Sequence, residues 1–349
     1  MQRPAYTDVP GNISGSGISA FGLIDCQLGQ VRELIDKQLT VPAKAGDIKP
    51  LLECVSTRSG KMLRPGLVLL SYRVVRDASC EKKTQYDIRN TQYEAIRVAA
   101  IVEMIHNATL LHDDVIDDGQ KRRGMPTINS LWGNESAVLL GDFLLSRAFK
   151  MCAELEPQVA KVIAATAIRV CEGELRQVSQ RQNWQLSESE YIDIITEKSA
   201  ALFSGCCYLG GLLARASETQ VQSLADFGLN AGIAFQITDD LLDIIGDENK
   251  TGKTLGSDVS KHKLTLAVIH LLEAVDEGEK SAVKSKLNAV GESKEALAEM
   301  LRRYGSLEYA RGRAQEFVAR AVGALAGLKE SDAKEALIET AKFMASRAV

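Results

Sequence analysis

Two acidic clusters of one pattern, each closing an apolar run, set the strongest constraint on what this chain can fold into. Asp113, Asp114 and Asp117 follow EMIHNATLLH, and Asp239, Asp240 and Asp243 follow FQIT about 125 residues later. At helical spacing the first and third carboxylates of each cluster share a face, and the second lies beside them. Three carboxylates held that close repel one another, so placing them at the end of an apolar segment requires cations to compensate them. A single cluster is equally explained by a solvated helix end. Its repetition in a matching context is not. Two such clusters facing across a cavity can hold several Mg²⁺ ions against one diphosphate, with Arg122 and Arg123 just downstream as phosphate ligands. That arrangement ionises a carbon–oxygen bond without a protein nucleophile.

Other stretches suit the same chemistry. In STRSGKMLRP, Gly60 permits close backbone approach and is flanked by Lys61 and Arg64, which suits an anion but is also the composition of a solvated basic loop. Lys198 stands amid small apolar residues, and a buried lysine calls for an anionic partner. The loop GDENKTGKTLGSDVSKHKLT mixes Gly, Lys and Asp as a mobile cover over a phosphate site does, and as many surface loops do. No Ser–His–Asp or Cys–His arrangement stands out.

In chain order, SGKMLRP at 59–65, EMIHNATLLHDD at 103–114, KRRGMPT at 121–127, GDFLLSRAF at 141–149, EKSAALF at 197–203, FQITDD at 235–240 and GKTLGSD at 252–258 resemble the trans-isoprenyl diphosphate synthases. The resemblance runs from about residue 25 to 347. It implies a single all-α helical bundle of the isoprenoid synthase type with a central cavity. It also implies a Mg²⁺-dependent prenyltransferase that joins isopentenyl diphosphate to an allylic diphosphate primer, and a homodimer. Residue by residue, it makes Asp113, Asp114, Asp117, Asp239, Asp240 and Asp243 metal ligands. Lys61, Arg64, His106 and Arg123 fall to isopentenyl diphosphate, and Arg122, Lys198 and Lys253 to the allylic diphosphate. Ser199 keeps the hydroxyl of the family's usual threonine, Gln236 counts among the substrate-binding residues, and Gln177 matches a polar position near the pocket. His112 supports the helix. Ser59 and Met62 depart from the commonest glycine turn, and HKLTLA, with His262 and Ala267, departs from the family's GKxTLP, which affects the local turn more than the chemistry.

Composition bounds the fold independently. With 45% hydrophobic but only 5% aromatic residues and seven prolines in 349, the chain reads as helical with a large aliphatic core. A net charge of −4 gives nucleic-acid binding no electrostatic support. The seven cysteines show no CxxC pair and read as reduced core residues of a cytoplasmic protein. No apolar run reaches the length of a membrane span. Residues 1–20, rich in Gly, Ser and Pro, read as a disordered tail, with residues 21–349 as one domain. Ser187 and Glu190 form a capping box.

Two other functions share features with this reading. A terpene cyclase also ionises an allylic diphosphate but needs no second diphosphate turn such as SGKMLRP. A non-catalytic regulatory subunit of a heteromeric synthase sheds an acidic motif or the basic residues, and this chain keeps them all. Product length follows from the helix before Asp113. One turn of about 5.4 Å matches roughly one isoprene unit. One turn back stand Ala108 and Thr109, both small, where short-chain members of the family place an aromatic ring. Ile105, Met104 and Ile101 beyond them are aliphatic, which predicts a product of roughly six to ten units in place of farnesyl or geranylgeranyl diphosphate.

Overall fold

The computed structural model describes residues 19–40, 48–57, 60–78, 85–246, 261, 263–288 and 294–346. Most of residues 1–20, and Ser59, Cys80, Lys253 and His262, therefore lie outside the described residues. Helices dominate what is described, so the chain is all-α. A 3₁₀ turn, Ser19–Ile24, buries Ala20, Phe21 and Ile24, so packed chain extends two residues into the stretch that composition assigns to a tail. In α1, Asp25–Leu39, the buried Leu28, Val31, Ile35 and Leu39 recur every three or four residues, the stripe of a helix with one inward face.

α2, Lys49–Thr57, and α3, Leu63–Ala78, lead to the central α4, Gln85–Ile116, which is about 48 Å long at 1.5 Å per residue. Every residue from Val98 to Ile105 on α4 is buried. A helix buried all round must be surrounded. Its neighbours are α1, α3, α6 (Asn134–Cys152) and α9 (Ala201–Leu213). After α4 the chain forms a hairpin of β1, Lys121–Arg122, and β2, Met125–Pro126, followed by α5, Ile128–Trp132. Two-residue strands carry no readable period. Arg123 and Gly124 make the turn, both with positive φ, 54° and 78°, which is the primed geometry that matches strand twist.

α7, Pro157–Ser179, begins with proline at its first turn, where no hydrogen bond is lost. α8, Glu188–Ile195, has the expected capping box of Ser187 and Glu190. It runs through one π-turn, Thr196–Ala200, into α9. α10, Glu218–Ile245, opens on a second capping box, Ser217 with Gln220, and lies along α9 and α14 (Ser306–Ala324). α11 (Leu266–Ala274), α12 (Glu277–Asn288), α13 (Lys294–Arg303) and α15 (Asp332–Ser346) complete the described elements.

Apolar side chains gather into two cores. One joins α1, α3, α4, α6 and α9 through residues such as Leu28, Leu67, Ile101, Leu144 and Phe203. The other joins α8, α11, α13 and α14 to the C-terminal half of α10 through Ile195, Ile237, Leu271 and Leu307. α4 thus belongs to the first core, whereas α10 enters the first through Leu224, Phe227 and Ala231 and carries its acidic motif into the second.

The cysteine reading needs correction. Cys206 and Cys207 are buried, but Cys26 and Cys171 are exposed, because they fall on outward faces of α1 and α7; none of the described cysteines is in a disulfide. Among the described residues no helix is long and apolar enough to cross a membrane.

Candidate active site

Where α4 runs out, its last turn is tied down. Asp117 and Gly119 donate their backbone N–H groups to the carbonyls of Asp113 and Asp114, at 2.8 Å each. Asn129 Nδ2 donates to the carbonyls of Asp114 and Gly119, 3.1 Å each, and Thr127 Oγ1 to that of Gly119, 2.6 Å. The hairpin is thereby fixed against the motif, and neither Asn129 nor Thr127 is signalled by charge.

The three aspartates of the first motif have different surroundings. Asp114, 5% exposed, accepts from Arg122 Nε at 2.8 Å and Nη2 at 2.7 Å, so its carboxylate is turned to the hairpin. Asp117 is met by Lys263 at 2.9 Å, Arg181 at 3.1 Å and Lys261 at 3.5 Å. Burial would raise its carboxyl, but Lys263, Lys261 and Lys198 together hold it below its ordinary value. Asp113 goes the other way. Burial pushes it up to about 6, with Glu174 and Asp117 adding repulsion and Lys198 and Arg122 only partly offsetting it.

Lys198 sits in the π-turn. Its Nζ contacts Glu174 and donates to Gln177 Oε1 at 2.7 Å, both from α7. Burial would lower its pKa, but Asp113 and Glu174 hold it above the ordinary value. The extra residue of the π-turn pushes this backbone toward α7, and only a glycine can meet it there: a Cβ on Gly173 would lie 2.2 Å from Lys198 N. Arg169 braces the same turn by two hydrogen bonds to Glu197, 2.8 and 3.2 Å.

In the second motif, Asp240 accepts from Tyr191 Oη and Gln236 Nε2, both at 2.7 Å, and Gln236 Oε1 accepts from Ser199 at 2.6 Å. The two motifs converge on Arg122. Burial would lower its pKa, but Asp114, Asp113 and Asp239 hold the guanidinium charged.

A second basic group assembles at the SGKMLRP turn. Arg123 lies so close over Gly60 that a Cβ there would meet its Nη2 at 2.4 Å. Arg64 stacks on Phe203 at 4.6 Å, and Lys61 lies over Phe343 of α15 at 4.9 Å. His106 is half-buried three residues past the buried Glu103. His112 points elsewhere, packed on Gly141 of α6 with Nε2 3.2 Å from Val138 O.

The structure therefore brings Asp113, Asp117, Arg122 and Lys198 together, ties Ser199 and Gln236 to Asp240, and sets Arg123 over Gly60 while Lys61 lies over Phe343. Among the described residues no three carboxylate, histidine or cysteine groups converge as a ready metal cage. The donor set nonetheless suits a hard cation. Asp113 carries a burial penalty that Lys198 and Arg122 relieve only in part, and an oxygen-seeking cation would relieve the rest. Glu174, Arg181, Tyr191, Lys261 and Lys263 escape the sequence reading. A buried Lys198 signals that a carboxylate such as Glu174 must exist, but not where.

A model of the polyprenyl synthetase family matches residues 47–304. A short chain isoprenyl diphosphate synthase of Methanothermobacter thermautotrophicus is 36% identical over 301 residues, 84% of this chain and 89% of that protein. A decaprenyl diphosphate synthase structure from Rhodobacter capsulatus superposes with a TM-score of 0.83 at 34% identity, covering 95% of this chain and 98% of the other. A polyprenyl synthase from Caulobacter crescentus, complexed with calcium and isoprenyl diphosphate, gives 0.85 at 29% identity, covering 97% and 100%.

Asp113 yields a prediction with a definite sign. Its folded pKa lies above the unfolded one, so its ionised form opposes folding above about pH 6, and the opposition disappears below about pH 4. Asp113→Asn should stabilise the metal-free protein at pH 7 by roughly 1–3 kcal/mol and leave it unchanged near pH 4. Urea unfolding at the two pH values measures this, and a lower midpoint at pH 7 contradicts it.

Proposed function

We propose, from the premise that this chain belongs to the polyprenyl synthetase family, that it is a Mg²⁺-dependent trans-prenyltransferase joining isopentenyl diphosphate to an allylic diphosphate. The observation that carries this reading is the division of the cations into two groups, one among the carboxylates and one around Gly60. One diphosphate ionises at the first group. The other waits at the second.

Asp113, Asp117 and Asp239 would hold Mg²⁺, which supplies Lewis-acid charge at the allylic diphosphate oxygens. Asp114 serves this site through Arg122, and Asp240 through Gln236 and Tyr191. As the allylic carbon–oxygen bond breaks, its electron pair passes to the diphosphate, and Lys198 and Arg122 neutralise the charge that grows there. Lys253 belongs with them in this proposal. Isopentenyl diphosphate, held by Lys61, Arg64, His106 and Arg123, presents its double bond to the cation. A carbon–carbon bond forms, and a proton passes to the departed diphosphate, restoring an alkene. Mg²⁺-dependent incorporation of isopentenyl diphosphate into an allylic primer by the purified chain tests the whole scheme. A chain inactive without a partner subunit contradicts it.

The proposal extends to a homodimer. Leu139 and Phe149 on α6 and Ile168 and Leu175 on α7 are large apolar residues 58–70% exposed, the kind of face a second copy buries. Sedimentation should give twice the chain mass, and Leu139→Glu with Leu175→Glu should halve it.

If the cations divide as proposed, Lys61→Ala and Arg123→Ala should weaken isopentenyl diphosphate more than the primer, and Lys198→Ala the reverse. Each loss should be roughly 10²-fold. Separate titrations of the two substrates read this directly, and equal effects on both reject the partition.

Product length is proposed to be long, roughly six to ten units at one unit per helical turn. Thr109, four residues before Asp113 and half-buried, shares its face, whereas Ala108 is fully buried. Neither blocks a tail. Thr109→Phe and Ala108→Phe should shorten the product to about three or four units while the primer still ionises. Chromatography of the dephosphorylated products decides, and a wild-type product already that short removes the long-chain assignment.

A further inference from the structure

One stripe of α7 meets the π-turn at three levels. Arg169, Gly173 and Gln177 follow one another at intervals of one helical turn, so they share a face, and each touches a different part of Glu197 or Lys198. Arg169 holds the Glu197 carboxylate through Nε and Nη2, at 2.8 and 3.2 Å. Gly173 meets backbone: a Cβ there would lie 2.2 Å from Lys198 N, 2.6 Å from its Cα and 2.7 Å from Glu197 C. Gln177 Oε1 accepts from Lys198 Nζ at 2.7 Å, and Glu174, next to Gly173 in the chain, contacts the same ammonium.

Only the last of these contacts reaches the charge of Lys198. The other two fix the backbone from which the lysine projects. A π-turn holds one residue more than an α-helical turn, so it bulges, and the bulge has to be accommodated by whatever packs beside it. Position 173 gives that room because it carries no side chain. The atoms on the facing turn are backbone, so no rotamer change there could make space for a methyl group. The Arg169–Glu197 pair then secures the bulge from the residue before Lys198. With the backbone set, two of the three ammonium N–H bonds reach α7, at Glu174 and Gln177, which leaves the third for a diphosphate.

We propose that Gly173 and the Arg169–Glu197 pair are positioning residues for the primer: they set the place of Lys198, and through it that of the allylic diphosphate, without touching the substrate. This rests on the reading of Lys198 as a ligand of the allylic diphosphate. Their effect passes through that lysine, so isopentenyl diphosphate, which is assigned to other cations, should not register it.

Gly173→Ala adds one methyl group and forces the turn to move. With helicity retained by circular dichroism, the KM for the primer should rise roughly tenfold or more, as expected when a binding group is displaced by about 1 Å, while the KM for isopentenyl diphosphate stays within about twofold. In a Lys198→Ala background the same substitution should change the primer KM by less than about twofold, because the residue through which Gly173 acts is already gone. At the partly exposed Arg169, Arg169→Gln should raise the primer KM roughly three- to fivefold, and Arg169→Lys, which keeps a cation on Glu197, should recover most of that loss. An unchanged primer KM in either folded variant, equal rises for both substrates, an Arg169→Lys no better than Arg169→Gln, or full additivity of Gly173→Ala with Lys198→Ala overturns the proposal. If Lys198→Ala itself leaves the primer KM unchanged, the proposal falls together with the site assignment beneath it. If Gly173→Ala does not fold, the Arg169 variants decide, and a loss in Arg169→Gln that persists undiminished in the Lys198→Ala background overturns the proposal equally.

Discussion

Compensation of carboxylates held at the ends of apolar helices is the constraint on which the arrangement of this protein depends. α4 and α10 are largely buried helices, and each carries an acidic cluster at the end of its apolar run. A carboxylate in such a place must find a cation or take up a proton. The first motif shows several solutions at once. Asp114 pairs with Arg122, Asp117 draws Lys263, Lys261 and Arg181, and Asp113 shifts toward its protonated form. Much of the local architecture exists to bring those cations: the hairpin carries Arg122, the π-turn carries Lys198, and the segment before α11 carries Lys261 and Lys263.

Each carrier is itself fixed by a small residue or a short hydrogen bond. The π-turn can approach α7 because position 173 is glycine, and Arg123 can reach the SGKMLRP turn because position 60 is. The hairpin is fastened to α4 by Asn129 and Thr127. Charge placement thus depends on backbone approach, and substitutions remote from any charge can displace a cation.

This explains what was legible in the sequence. Helix class and the capping box at Ser187 follow from composition and local hydrogen bonding, which are properties of short stretches. The duplicated aspartates and the basic turns were legible because charge in an apolar context is conspicuous one residue at a time. The partners were not. Glu174 meets Lys198 from 24 positions away, and Lys263 meets Asp117 from 146 away. Such pairs are made by the packing of helices, and no local pattern encodes them. The hairpin was hidden for the opposite reason, since its strands are too short to show a period. The repeated motif also hides that its aspartates have different partners. Identical residues in a repeated motif face different directions on a helix, so Asp114 and Asp240 are held by side chains while Asp113 is left with its penalty.

Several departures from good local structure lie among the charged residues described above. Arg123 and Met62 have left-handed backbones, one helix carries a π-turn, and Asp113 and Glu103 are carboxylates buried at a cost. Arg215, past the end of α9, is a further left-handed residue, while helices such as α1 carry regular apolar stripes. A fold selected for stability alone would remove these exceptions, since each opposes folding. Their concentration between the ends of α4 and α10 and the turn at Gly60 marks that region as the place where stability has been given up for pre-set charge. The rigid remainder makes this tolerable. Long buried helices hold the strained residues in position, so the charges of the site are arranged by the fold itself.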